Sequence, residues 1–71
     1  MPNDLLAMLG LRIRRLRKVA GWTQVQLAER IGIDRSFLAD VERGKRNISI
    51  LNLALIAKGL KISLSRLLTK F

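Results

Sequence analysis

The chain has 71 residues, enough for one domain with one modest core, and its 49% apolar residues are spread along the length, which argues against disorder. A net charge of +9 points to a polyanionic partner, nucleic acid or an acidic membrane face, unless the charge serves only as a solvated surface. With no His and no Cys the chain lacks the residues of the usual zinc sites, of Ser-His or Cys-His nucleophile pairs and of imidazole acid–base chemistry, so no enzyme and no metal is expected.

The elements follow in order. Leu5, Leu9, Ile13, Leu16 and Ala20 recur at three- and four-residue steps, with Arg12, Arg14, Arg15 and Lys18 between them, which predicts an amphipathic first helix. Asn3 or Asp4 is expected to cap its start and Gly21 to end it. These two polar residues also stand where a secretory signal needs basic ones. Arg or Lys interrupts every apolar run before the ~20 residues that a membrane span needs. Together with the missing cysteines, this makes a soluble cytoplasmic chain the expectation.

Thr23 and Gln26 have the spacing of a capping box for a second helix to about Ile31, and Gly32 suits the positive φ of a tight turn. Asp34 is expected to cap a third helix, roughly 35–43, with Leu38 and Val41 inward and Gly44 as its stop. Ser49 then opens a fourth helix reaching Lys58, which Gly59 closes, and Ser63 opens a short fifth helix through about Thr69. Nothing reads as a strand, a repeat or a flexible linker. The predicted fold is therefore all-α, a five-helix orthogonal bundle forming one domain over residues 1–71.

The spacing between Gln24 and Arg43 is demanding. Two helices that cross at ~90–120° over a 3–4-residue turn approach so closely that only a small residue such as Ala28 fits between them. Leu27, Ile31, Ile33, Leu38 and Val41 then close the wedge, and the outer face of the third helix is left free to enter a DNA major groove. The run TQVQLAERIGIDRSFLADVERGKRN resembles the helix-turn-helix family of lambdoid phage repressors and Cro, also called the xenobiotic-response-element family. With its flanking helices the resemblance spans nearly the whole chain. Within that family, IDRSFLADVERGKRNIS is most similar to the controller proteins of restriction-modification systems, which are small homodimeric regulators.

The resemblance implies that Arg35, Ser36, Ala39 and Asp40 face base edges. Arg35 would then grip guanine O6 and N7, Ser36 would take a base or a phosphate, and Asp40 would accept from cytosine N4 or orient an arginine. Asp40 is equally readable as an intrahelix partner of Arg43. Gln24 would bond a phosphate beside a helix N-terminus, or be no more than a polar helix-start residue. Phe37 either turns outward to a thymine methyl or sugar edge, or inward to the core. Arg43, Lys45, Arg46 and Asn47 form a loop that in the family clamps the backbone. The resemblance pairs Arg17 with Glu42 as a structural salt bridge. Arg12, Arg14 and Arg15 read as solvated, and Trp22 as a hydrophobic staple over the start of the second helix.

On a wheel at 100° per residue, Ile50, Leu53, Ile56, Ala57 and Leu60 share one arc of the fourth helix, which is expected to face the core. Leu51 and Leu55 lie nearly opposite, so this helix is apolar almost all round. With Leu64, Leu68 and Phe71 they form a candidate dimer interface, unless the C-terminal residues fold back over them within one subunit. Residues 49–71 are thus expected to serve dimerisation as well as the fold. The functional expectation is a sequence-specific regulator that binds double-stranded DNA as a homodimer on a palindromic operator, with no cofactor and no small-molecule ligand. The competing reading is a protein-interaction module of the antitoxin or adaptor type with the same fold. A basic amphipathic membrane binder is a third, against which the glycine turns and caps argue.

Overall fold

The computed structural model describes residues 2–69, and the helices follow from local signals of three kinds: apolar spacing, caps and stops. They are α1 (Pro2–Val19), α2 (Gln24–Ile31), α3 (Arg35–Glu42), α4 (Ile50–Gly59) and α5 (Leu64–Leu67), with no strand among the described residues. None of these helices is long and apolar enough to cross a membrane.

Three of the predicted caps carry the expected hydrogen bonds. The Gln26 N–H donates to Thr23 Oγ1 at 3.1 Å and the Thr23 N–H donates to Gln26 Oε1 at 2.9 Å, a complete capping box. Ser49 Oγ accepts from the Asn52 N–H, and Ser63 Oγ from the Arg66 N–H. Asp34 occupies the cap of α3 but makes no side-chain cap bond. Since α1 already begins at Pro2, Asn3 and Asp4 lie inside its first turn rather than ahead of it, and proline is well suited to that opening position.

Each of α1, α3 and α4 ends in the same reversal, in which two successive N–H groups reach back to two carbonyls of the last turn, and at the end of α2 the Gly32 and Ile33 N–H groups both reach the Ala28 carbonyl. For α2 this reversal stands on Gly32 at φ +75°, a conformation that a side chain resists. For α4 it does not stand on Gly59. Gly59 is still helical and buried, and the left-handed residue is Lys61 at φ 61°. A Cβ on Gly59 would lie 2.3 Å from Ile31 Cγ2, so this glycine serves helix packing and the stop falls two residues later.

One core runs through all five helices: Leu9 and Ile13 from α1, Leu27 and Ala28 from α2, Leu38 and Val41 from α3, Leu53, Ile56 and Ala57 from α4, and Leu67 from α5. Ala28 is buried in this core, and Ile31 and Ile33 pack half-buried against it. Two residues expected in the first helix's inner stripe are exposed. Steps of four advance the buried face by 40° each, so a stripe centred on Leu9 and Ile13 leaves Leu5 at its margin, and Ala20 lies beyond the helix end. Ile50 also departs from expectation at 59% exposure, because it stands in the first turn of α4, where no described element covers it.

The backbones of α1 and α3 also approach closely. A Cβ on Gly10 would lie 2.4 Å from the Val41 carbonyl oxygen and 2.6 Å from that of Glu42. Neither backbone atom can move without displacing α3. Alanine in a helix interior ordinarily stabilises relative to glycine, but Gly10→Ala is expected to reverse that sign and cost about 1–3 kcal/mol by overpacking. In a thermal melt, each kcal/mol corresponds to a fall of roughly 4–8 °C for a domain of this size; an unchanged or higher midpoint would contradict the packing described.

Candidate nucleic-acid interface

Arg17 lies two four-residue steps beyond Leu9 and one beyond Ile13, so the periodicity that builds the core also carries a guanidinium into it. It is only 6% exposed, and a charge so placed needs a fixed partner. Glu42 at the end of α3, 4% exposed, provides it through two parallel bonds: Arg17 Nε to Oε2 at 2.6 Å and Arg17 Nη2 to Oε1 at 2.9 Å. Arg17 Nη1 also donates to the Trp22 carbonyl at 2.8 Å, and Gln24 Nε2 donates to Glu42 Oε1 at 3.0 Å. The expected salt bridge is therefore the centre of a network joining α1, the turn before α2, α2 and α3. The Glu42 hydrogen bond raises the Arg17 pKa above its ordinary value, and burial opposes it. A raised value in a base means that this contribution to stability is complete around neutral pH and, as pH rises, is lost only in strong alkali.

With its inner side fixed, α3 turns a polar edge outward. Arg35 and Ser36 are exposed at its start, and Arg35 has no hydrogen-bond or ionic partner among the described residues. Ala39 is not on the open surface as expected. It is 8% exposed and forms the floor of a groove of about 370 Å³, whose walls include Arg35 and Arg43 of the α3 segment, Gln24 of α2 and Arg14 of α1. Asp40 takes the intrahelix alternative in the free chain, accepting from Arg43 Nη2 at 2.6 Å. Phe37 takes the inward alternative, packing half-buried against the core, and the Arg46 guanidinium sits 5.0 Å from its ring centroid. Lys45, Arg46 and Asn47 are exposed in the loop after α3, next to Gly44 at φ +72°. Gln24 lines the groove but has committed one amide N–H to Glu42, so it acts in the scaffold as well as at the surface.

A basic ridge on the second of two tightly crossed helices is the arrangement of a helix-turn-helix, and the helix-turn-helix family model matches residues 13–67. The chain belongs to this family. Among the relatives it resembles, the control protein C.MunI of Mycoplasma sp is 39% identical over 66 residues, covering 92% of this chain and 89% of that protein. The crystal structure of the restriction-modification controller protein C.AhdI from Aeromonas hydrophila superposes with a TM-score of 0.88 at 41% identity, covering 90% of this chain and 97% of that one. The C.Esp1396I controller protein, solved as a tetramer in complex with its natural 35 base-pair operator, gives a TM-score of 0.84 at 36% identity over 90% of this chain and 84% of that one.

This helix-turn-helix chain carries a second exposed feature, away from the ridge. Leu51 is 76% exposed and Leu55 40%, and Ile50 joins them, so the outer side of α4 is an apolar strip open to solvent. Leu64 and Leu68 contribute less than expected because both pack half-buried against their own core. Phe71 lies outside the described residues. Trp22 is half-buried against the core and lies under the Arg30 guanidinium at 4.9 Å.

Of the residues read as solvated, Arg12 departs from expectation and Arg14 has a defined place. Arg12 is half-buried and donates from Nη2 to the Arg66 carbonyl at 3.2 Å, tying α1 to α5. Arg14 stays exposed but lines the groove, a placement that depends on how α1 crosses α3 and leaves no local signal in the sequence.

Removing one partner of a buried ion pair leaves an uncompensated charge, which costs ~3–5 kcal/mol. Glu42→Ala should therefore lower the urea or thermal midpoint far more than a surface change such as Asp40→Ala. The double variant Arg17→Met/Glu42→Leu should recover most of that loss. Equal stability of wild type and Glu42→Ala would contradict the network's place in the fold.

Proposed function

We propose that the chain is a sequence-specific regulator of transcription that binds double-stranded DNA as a homodimer on a palindromic operator. It is a controller- or repressor-type protein rather than an enzyme, working in the cytoplasm without a cofactor or small-molecule ligand. The observation that carries this reading is the fixed inner side of α3 beside its free outer side: Glu42 is locked to Arg17 while Arg35 and Ser36 stand open next to Arg43, Lys45 and Arg46. Membership of the helix-turn-helix family and the relatives described as control proteins support it.

In this reading α3 enters the major groove. Arg35 meets guanine O6 and N7 with its two parallel N–H groups, and Ser36 meets a base or the neighbouring phosphate. Ala39 lets the base edges approach the helix closely, and Asp40 orients Arg43 or accepts from cytosine N4. Gln24, Lys45, Arg46 and Asn47 hold the backbones on either side and set the register, with Arg46 held over the ring of Phe37. Residues 1–71 act as one domain, and segment 49–71 gives the two-fold contact through Leu51 and Leu55. A closed dimer repeats α3 one DNA turn away, ~34–36 Å, so the operator mirrors the protein's symmetry.

The exposed strip of Ile50, Leu51 and Leu55 also favours a second reading, an antitoxin- or adaptor-type module that binds a different protein there. Sedimentation of the pure protein separates the two. Wild type should sediment as a dimer, and Leu51→Glu, with Leu55→Glu as a second variant, should sediment as a folded monomer with weaker operator binding. A wild-type monomer at micromolar concentration would favour the adaptor reading.

Base contact and backbone contact leave different signatures. Arg35→Ala should lose about 1–3 kcal/mol of discrimination at one base position in each half-site. Arg46→Ala should weaken operator and scrambled duplexes alike and reduce the salt dependence by about one ion per site. Gel shifts over a salt series measure both; equal losses from the two variants on both duplexes would contradict the direct-readout assignment.

A further inference from the structure

We infer that Arg14 of α1 is a DNA phosphate-binding residue on the wall that α1 contributes to the groove beside α3. The inference rests on the DNA-binding reading and extends it to a helix that otherwise serves the scaffold. Four observations lead to it. Arg14 lines the same groove as Gln24, Arg35 and Arg43. It is exposed and has no hydrogen-bond or ionic partner among the described residues, whereas Arg12 and Arg17 of the same helix are tied to Arg66 and Glu42. The α1–α3 approach through Gly10 is too tight to allow the helix carrying Arg14 to swing away. Finally, Glu42, the one acid lining that groove, is already neutralised by Arg17, so Arg14 adds an uncompensated positive charge there.

A groove with a free guanidinium on one wall, Arg43 on another and the Gln24 amide at its side fits a phosphodiester, which offers several acceptor oxygens to donors from different directions. Arg15, the next residue along, is also exposed and basic but does not line the groove, so it separates a placed contact from general attraction.

The test is fluorescence anisotropy of wild type, Arg14→Ala, Arg14→Lys and Arg15→Ala on operator and scrambled duplexes across a salt series, with thermal melts to verify folding. Arg14→Ala should weaken both duplexes by the same factor and reduce the slope of log K against log salt by about 0.9 for each subunit bound. Arg14→Lys should keep most of the slope, and Arg15→Ala should keep it all. A wild-type slope in Arg14→Ala, or an equal loss in Arg15→Ala, overturns the assignment of Arg14 while leaving the DNA-binding reading intact. Failure of the wild type to bind either duplex overturns both.

Discussion

The buried Arg17–Glu42 pair is the constraint on which the rest of the arrangement depends. Such pairs are weak devices for stability, since desolvating two charges offsets most of their attraction, and apolar residues of the same volume often serve as well. What this pair supplies is direction. Two parallel hydrogen bonds fix both distance and angle, and their donors lie on α1 while their acceptor closes α3. The remaining bonds of the network attach the Trp22 carbonyl and the Gln24 amide, so the turn before α2 and the start of α2 are fixed to the same point. Gly10 complements it one helical surface away by letting the α1 backbone rest on the carbonyls of Val41 and Glu42. A helix held at such points has little freedom to rotate its outer side out of register.

The surface residues follow from that fixed frame. Asp40 and Phe37 both face a cation of the loop or helix end, Arg43 by an ion pair and Arg46 by its ring. In the free chain these contacts limit the motion of two long side chains that would otherwise lose conformational freedom on binding. Arg35 is left without such a tether, in keeping with a side chain whose partner is another molecule. The apolar outer side of α4 lies on a different element from the ridge, so one 71-residue chain can present a DNA face and a self-association face without either covering the other.

Much of the fold was legible because its signals are local. Thr23 and Gln26 are three residues apart, Ser49 and Ser63 reach only to the next turn, and Gly32 answers a φ that few other residues accept. What escaped depends on contacts distant in sequence. Gly10 looks like an ordinary weak point in a helix until Val41 and Glu42 are seen against it. The stop of α4 was misplaced because Gly59, spent on packing against Ile31, has the composition of a stop, whereas Lys61 adopts a conformation its side chain disfavours. Ile50 shares an arc with core residues, but the wheel carries no information about where the neighbouring elements end. At the candidate interface, the outward placement of Arg35 and Ser36 came from the family resemblance, and so did the Arg17–Glu42 pairing, whose partners are 25 positions apart. The burial of Ala39 and the placement of Arg14 depend on the α1–α3 crossing, which no stretch of sequence specifies by itself.

Selection of bound duplexes from a random pool by the wild-type chain tests most directly whether a locked helix pair, repeated by two-fold symmetry, reads DNA. The account predicts enrichment of two inverted half-sites containing a guanine, with centres about one helical turn apart. Enrichment of no sequence, or of a single site without inverted symmetry, would contradict it.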